Sequence, residues 1–180
     1  MFVIARSFRT AWLIVAFAAA SISSGFAAAP SALLGTWTFD AGSSTDLSPW
    51  RSSQLTIAQS GTTLTITRAL AGGRRAHTET TTLDLAQPRN VVPQTWWVDN
   101  RHLGAYAPTD GQQTITARWL DDGQVLRLEI DFTLETQQGP RAVNTIRQFQ
   151  VSPDGQRLTM IDLRSTRPLP VTHVYTRVTE

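Results

Sequence analysis

Residues 125–136 alternate apolar and polar side chains without interruption, and this pattern constrains the fold more than any other feature of the sequence. A period of two residues is typical of a β-strand with one dry face and one wet face. The dry face would carry Leu126, Leu128, Ile130, Phe132 and Leu134. Similar patterns predict strands at 35–40, 54–60, 63–68, 76–85, 94–99, 114–119, 125–136, 142–151, 157–166 and 172–178. No convincing helical period appears.

Short polar segments separate these strands and predict how they connect. Glycine falls in most of the breaks, for example at Gly61, Gly73, Gly123, Gly139 and Gly155. Connections this short join antiparallel neighbours, because a parallel crossover needs a dozen residues or more. A meander of half-buried strands leaves two open edges unless it closes on itself. We therefore predict an all-β chain that folds as one closed antiparallel up-and-down barrel of 8–10 strands.

The N-terminus has the pattern of a secretory signal peptide. Arg6 and Arg9 precede an apolar stretch at 11–20, and small residues follow at 21–29. The apolar stretch is too short to cross a hydrocarbon core of about 30 Å. We expect cleavage after Ala27, which gives a leader of residues 1–27 and one domain of residues 28–180 in the periplasm or outside the cell. The chain has no cysteine, so we expect neither a lipid anchor at the N-terminus nor disulfides.

The charge of the chain gives no indication of a nucleic-acid partner. The 16 basic residues exceed the 14 acidic residues by two, and loss of Arg6 and Arg9 with the leader removes that excess. Nucleic-acid binding would require a basic patch or stripe. We expect no nucleic-acid partner and no integral membrane segment in the mature domain.

Three residues at the two ends of the domain resemble the lipocalin, or calycin, family. Gly35 and Trp37 form a Gly-X-Trp on the first strand, and Arg177 lies on the last strand. In that family such an arginine lies across the tryptophan and closes one end of the barrel. The resemblance implies a cation–π contact between Arg177 and Trp37, and pairing of the first strand with the last.

The hairpins at 117–126 and 149–160 extend this resemblance to secreted bacterial lipocalin-like proteins, most of which have no assigned activity. The resemblance covers nearly the whole mature chain. It also implies that the polar loop at 41–53 lies where such barrels often carry a lid. The resemblance indicates the fold much more strongly than the function.

Two sets of residues are candidates for a ligand site inside a hollow barrel. Trp119, Leu128, Ile130 and Phe132 would form an apolar wall, since they lie on predicted inward faces. His77, Glu79 and Tyr175 would add polar selection. Alternatively, the apolar face is a filled core, and His77 with Glu79 is a solvated strand end.

The long segment at 86–113 holds two further candidates, Trp97 and Tyr106, which would form an aromatic rim at the cavity mouth. Function tends to concentrate in long loops on a rigid scaffold. The alternative is that Trp96 and Trp97 place one ring in the core and one at the surface.

Catalytic and metal chemistry have weaker signals, and we assign no catalytic residue. No Gly-X-Ser-X-Gly motif occurs, and no cysteine can act as a nucleophile. Asp99 with His102 lies in irregular chain, where polar residues are ordinary. We expect no metal site or cofactor. His173 lies near the position of the haem-binding histidine in nitrobindin-type barrels. In this sequence, however, the position equivalent to that histidine is occupied by Pro170.

Three functions therefore remain open. The first is an exported barrel that binds a small, mainly apolar molecule. The second is a filled barrel that acts as a structural or interaction module with an envelope protein partner. The third is an enzyme on a lipocalin scaffold, a hydratase, isomerase or hydrolase, that uses His77 and Glu79 as an acid/base pair.

Overall fold

The computed structural model describes residues 29–45, 47, 49–94, 105–108 and 110–179. Two 3-10 turns lie at Ala41–Ser43 and Asp121–Gly123. The strands in these ranges are β1 (Gly35–Asp40), β2 (Ser52–Ser60), β3 (Thr63–Gly72), β4 (Arg75–Asp84), β5 (Asn90–Pro93), β6 (Ala105–Tyr106), β7 (Gln112–Leu120), β8 (Val125–Thr136), β9 (Gly139–Val151), β10 (Arg157–Arg164) and β11 (Val171–Arg177). No helix among the described residues has the length and apolarity needed to cross a membrane.

The strands form one antiparallel sheet that curls into a nearly closed barrel. Its order is β4-β3-β2-β1-β11-β10-β9-β8-β7-β5, and β6 pairs with the far end of β8. Apart from β6, and from β4 and β5 at the two ends of this order, neighbours in sequence are neighbours in the sheet, so the predicted up-and-down meander is confirmed. The ladder of ten strands agrees with the prediction of 8–10, and this architecture is compatible with a lipocalin-like fold.

Several predicted strand bounds differ from the structure. Strand β3 continues past residue 68 to Gly72, and strand β10 ends at Arg164 rather than at 166. The strand predicted at 94–99 begins wrongly, because the extended pairing is at Asn90–Pro93 and Gln94 lies beyond it. Residues 95–99 lie outside the described residues.

The pairing of β1 with β11 is confirmed and brings Trp37 directly opposite Arg177. The guanidinium carbon lies 4.0 Å from the centroid of the fully buried Trp37 ring. Arg177 also donates from Nε to the carbonyl of Gly155 at 2.7 Å, from Nη1 to that of Leu34 at 3.0 Å, and from Nη2 to that of Ala32. One side chain thus holds together three segments at this end of the barrel, which we call the closed end.

Gly35 has a specific reason to lack a side chain at the closed end. Its φ angle is +131°, a region that residues with a Cβ rarely adopt. A Cβ on Gly35 would also lie 2.9 Å from Nη1 of Arg177. The Gly-X-Trp motif therefore provides both the ring and the space that Arg177 needs.

The seam between β4 and β5 is joined by a side chain instead of a strand ladder. The backbone N–H of Asp84 donates to Oδ1 of Asn90 at 2.8 Å, and Nδ2 of Asn90 donates to the carbonyl of Asp84 at 3.2 Å. The Asn90 amide thereby imitates one step of strand pairing at the closed end. Further toward the other end, the mouth, no described strand pairs with the free edge of β4.

We predict that Trp37→Ala lowers the free energy of unfolding by about 3–5 kcal/mol, because it removes a buried aromatic ring and leaves a cavity under Arg177. Urea unfolding monitored by circular dichroism measures the change. Val91→Ala is the matched control, since Val91 is 60% exposed and its truncation should change stability by less than about 0.5 kcal/mol. Equal unfolding midpoints for the two variants would contradict the role given to the closed end.

Candidate functional site

The barrel interior is apolar near the closed end and polar toward the mouth. Strands β3, β4, β9 and β10 pass from apolar to polar residues along their inner faces, whereas the inner face of β8 stays apolar. We call the inward-facing polar residues of the mouth half the polar layer; they are Ser53, Arg68, His77, Glu79, Thr81, Thr145, Arg147, Asp162, Arg164, His173 and Tyr175. Of these, the sequence analysis had selected His77, Glu79 and Tyr175.

One ion pair in the polar layer is fully formed within the protein. Arg147 on β9 lies directly opposite Asp162 on β10. Nε of Arg147 donates to Oδ1 of Asp162 at 2.7 Å, and Nη2 donates to Oδ2 at 3.0 Å. The side chains are only 15% and 11% exposed. This two-point geometry is the strongest form of an arginine–carboxylate contact.

The electrostatics of Asp162 show that more than one cation faces it. Burial acts to raise the pKa of its carboxyl group, but the charge and hydrogen bonds of Arg147, with the charges of Arg68 and Arg164, outweigh burial and lower that pKa. In the same way, burial acts to lower the pKa of Arg147, but Asp162 raises it overall, with help from Glu79. These groups therefore form one interacting cluster across β3, β4, β9 and β10.

Arg68 is the most buried cation of the cluster, with 5% of its surface exposed. Its Nη2 lies 3.0 Å from Nδ1 of His173, and its Nε donates to Oγ of Ser53 at 3.4 Å. A guanidinium has only donors, so Nδ1 of His173 accepts, and a neutral imidazole carries its proton on Nε2. Ser53 Oγ lies 3.3 Å from the hydroxyl of Tyr175.

The carboxylate nearest to Arg68 in the ladder does not pair with it. Glu79 stands directly opposite Arg68 between β3 and β4, and both side chains point inward. Among the described residues, however, no carboxylate oxygen lies within 4 Å of the Arg68 guanidinium nitrogens. Arg68 is thus held by neutral partners, whereas Arg147 is held by a carboxylate.

The mouth is partly covered by the loop between β1 and β2. Leu47 and Trp50 of this loop are buried against Leu70 and Phe39, and the Trp50 ring stacks on His77 with centroids 6.4 Å apart. The loop is attached to β11: the N–H of Thr45 donates to the carbonyl of Thr172 at 2.7 Å, and the N–H of Val174 donates to Oγ of Ser44 at 2.8 Å. In its described part, this segment lies where the resemblance implied a lid.

The four apolar candidates fall at different depths. Trp119 and Leu128 belong to the packed closed half, where Leu128 is 1% exposed. Ile130 and Phe132 lie nearer the mouth on β8, and Phe132 is only half-buried although it faces inward. Phe132, Glu79 and His77 are each partly exposed although they face inward. The apolar wall predicted from sequence therefore divides into core residues, among them Ile130 at 7% exposure, and the partly exposed Phe132.

The remaining candidates lie away from the polar layer or outside the description. Tyr106 is 62% exposed on the short strand β6, and it does not meet the other candidates. Trp97, with Trp96, Asp99 and His102, lies outside the described residues. In the described part of the chain, no three His, Cys, Asp or Glu residues group as metal ligands.

Sequence reasoning missed Arg68, Arg147, Asp162 and Trp50. The first three could have been identified from the alternation of their strands, which places them on the inward face. Arg68 shares its face with Leu64 and Ile66, and Asp162 shares its face with Leu158 and Met160. A charged residue on an otherwise apolar strand face is rarely accidental, because burying it is costly. Trp50 carried no periodic signal, since it lies in irregular chain.

We predict that Asp162→Asn lowers the free energy of unfolding at pH 7 by about 3–5 kcal/mol, because it leaves Arg147 buried without its counter-ion. The folded-state pKa of Asp162 is lowered. Its stabilisation is therefore present above the unfolded value of about 3.9 and is lost as pH falls through the folded value. The difference in the free energy of unfolding between wild type and variant, measured by urea unfolding, should therefore shrink as the pH falls from about 5 to about 2.

The control is the exposed pair Arg127–Glu129, in which the two side chains are 30% and 32% exposed. Glu129→Gln should cost less than about 1 kcal/mol. The double variant Arg147→Met/Asp162→Leu should recover most of the stability lost in Asp162→Asn, since it removes both charges. A double variant as unstable as the single variant would show that the ion pair is not the source of the effect.

Comparison with known proteins leaves the barrel and its polar layer as the basis for any functional conclusion. No protein-family model matches the chain. No curated protein matches it either.

Proposed function

We propose that this protein is an exported barrel that binds one small molecule in the mouth half of its interior. The observation that carries the proposal is the polar layer, which lies on the inner face of the mouth half together with the partly exposed Phe132. Small-molecule sites are concave, mainly apolar, and carry a few convergent polar groups. The export assignment rests on the signal-peptide pattern of residues 1–27, and the lipocalin-like assignment rests on Gly35, Trp37 and Arg177.

The energetic cost of the polar layer favours ligand binding over a purely structural barrel. A filled core is most stable with apolar side chains, and replacing a buried ion pair by such side chains is often neutral or stabilising. Burial of Arg68 should cost more than burial of Arg147, because no described carboxylate forms an ion pair with Arg68. An interaction module with a filled barrel has no use for such a group in its interior.

The ligand should contact both walls. Strand β8 lies nearly opposite β2 and β3 in the ring of ten strands, so Phe132 and Arg68 face the same space from opposite sides. A mainly apolar molecule would pack on Ile130 and Phe132 under the loop that carries Trp50. Its polar end would then meet the polar layer.

An enzyme is the second candidate, favoured by one observation. His77 and Glu79 share the inner face of β4 in the mouth half, so one strand presents both members of a candidate acid/base pair. The Trp50 ring stacks on His77 and orients the imidazole. Turnover of a bound molecule that stops in Glu79→Gln while binding continues would establish this reading over simple binding.

We predict that Phe132→Ser weakens binding of the neutral probe N-phenyl-1-naphthylamine by about 10–100-fold, because a buried phenyl ring contributes about 1.5–3 kcal/mol. Titration of probe fluorescence measures the affinity. Leu163→Ser is the matched control, since Leu163 is 42% exposed and is on the outer face of β10; its affinity should equal that of wild type.

Native mass spectrometry of protein purified from its own host should also reveal a bound small molecule at one per chain. A protein that is empty and takes up no probe would contradict the binding barrel. It would favour the structural or interaction module.

A further inference from the structure

We infer that the ligand carries a single carboxylate, and that Arg68 is the residue that receives it. This inference rests on the proposed function and names the chemistry of the same site. It moves the polar anchor from His77 and Glu79, where the sequence placed it, to the deeper group of Arg68, Ser53, His173 and Tyr175.

The donors at Arg68 outnumber the acceptors that the described residues offer. The hydrogen bonds of Arg68 use Nε and Nη2, so within the described chain the two N–H groups of Nη1 donate to no residue. Ser53 Oγ accepts from Arg68 and shares a second hydrogen bond with the Tyr175 hydroxyl. Only one of those two hydroxyls can donate in that bond, so the other proton is left over.

A ligand group that only accepts hydrogen bonds fits this surplus. A carboxylate has about four acceptor positions and no donor, whereas a hydroxyl or amide would bring further donors to a site already rich in them. The guanidinium fork also matches a carboxylate in shape. The surplus donors therefore select for an anion rather than a neutral polar group.

The charges of the polar layer indicate one negative charge on the ligand. Three arginines, Arg68, Arg147 and Arg164, face two carboxylates, Glu79 and Asp162. Among these five described residues the arginines therefore exceed the carboxylates by one. A single carboxylate on the ligand would balance that excess, and a doubly charged phosphate monoester would exceed it.

A buried hydroxyl on the neighbouring wall supports the same conclusion independently. Thr145 is 3% exposed, and its Oγ1 has no hydrogen-bond partner among the described residues. It lies between Ile130 on β8 and Arg164 on β10 in the ladder, on the inner face of the mouth half. Buried hydroxyls are normally paired, so the Thr145 hydroxyl is a further group that can donate a hydrogen bond to a ligand oxygen in the mouth half.

The test compares three ligands with one apolar chain: decanoate, decanol and methyl decanoate. Each displaces N-phenyl-1-naphthylamine from the delipidated full mature domain at pH 7.5. We expect decanoate to bind at least about tenfold more tightly than the two neutral compounds, since a hydrogen bond to a charged group contributes about 1.5–3 kcal/mol. Arg68→Gln should abolish this preference and leave decanol affinity within about twofold of wild type.

Arg118→Gln is the matched control, because Arg118 is exposed on the outer face of β7; it should retain the full preference for decanoate. Equal affinity of wild type for all three compounds would overturn the inference and leave the binding barrel intact. Failure of the probe and of all three compounds to bind would overturn the proposed function itself. If Arg68→Gln does not fold, the wild-type comparison of decanoate with decanol decides alone.

Discussion

The contact of Arg177 with Trp37 is the constraint on which the rest of the barrel depends. It fixes β1 against β11, and the two strands then hold the remaining meander in a ring. Because side chains alternate across a strand, a slip of one residue anywhere in the ring would turn a whole inner face outward. The register set at the closed end therefore decides that Arg68 and Asp162 point into the barrel and not into water.

The fold could be predicted well from the sequence because local patterns, the alternation of side chains and the positions of turns, determine most of it. Alternation located nine of the ten predicted strands, and glycine-containing breaks gave their antiparallel order. Closure followed from Gly35, Trp37 and Arg177. The missed extension of β3 has a tertiary cause: Leu70 is inward-facing, and the loop that carries Trp50 packs against it. The strand at Asn90–Pro93 was not predicted because it is too brief to show a period, and the strand predicted at 94–99 lies outside the described residues except for Gln94.

The site was harder to predict because most of its residues lie on different strands, and the pairing register of those strands determines which of them come into contact. His77 and Glu79 lie on one strand, so their shared face could be read directly. Arg147 and Asp162 lie fifteen positions apart, and their pairing depends on which residues of β9 and β10 stand opposite each other. Arg68 is further from its partners still, since His173 follows it by 105 positions. The alternation along each strand could have identified these residues as inward-facing, but no local pattern could have predicted which of them contact each other.

The two halves of the interior divide packing from charge, and the proposed binding site belongs to the charged half. A chain without cysteine has no disulfide to stabilise it, so the closed end has to supply the packing, with Trp37, Leu126 and Phe149 fully buried. The stability supplied by this packing allows the mouth half to contain buried charges, which are costly in a protein core. Arg147 and Asp162 offset each other's desolvation and fix β9 to β10, which gives the cluster a rigid frame. Among the described residues, the hydrogen-bond partners of Arg68 within that frame are neutral. If the proposed ligand binds there, the cation is already positioned before the ligand arrives, so little ordering would oppose binding.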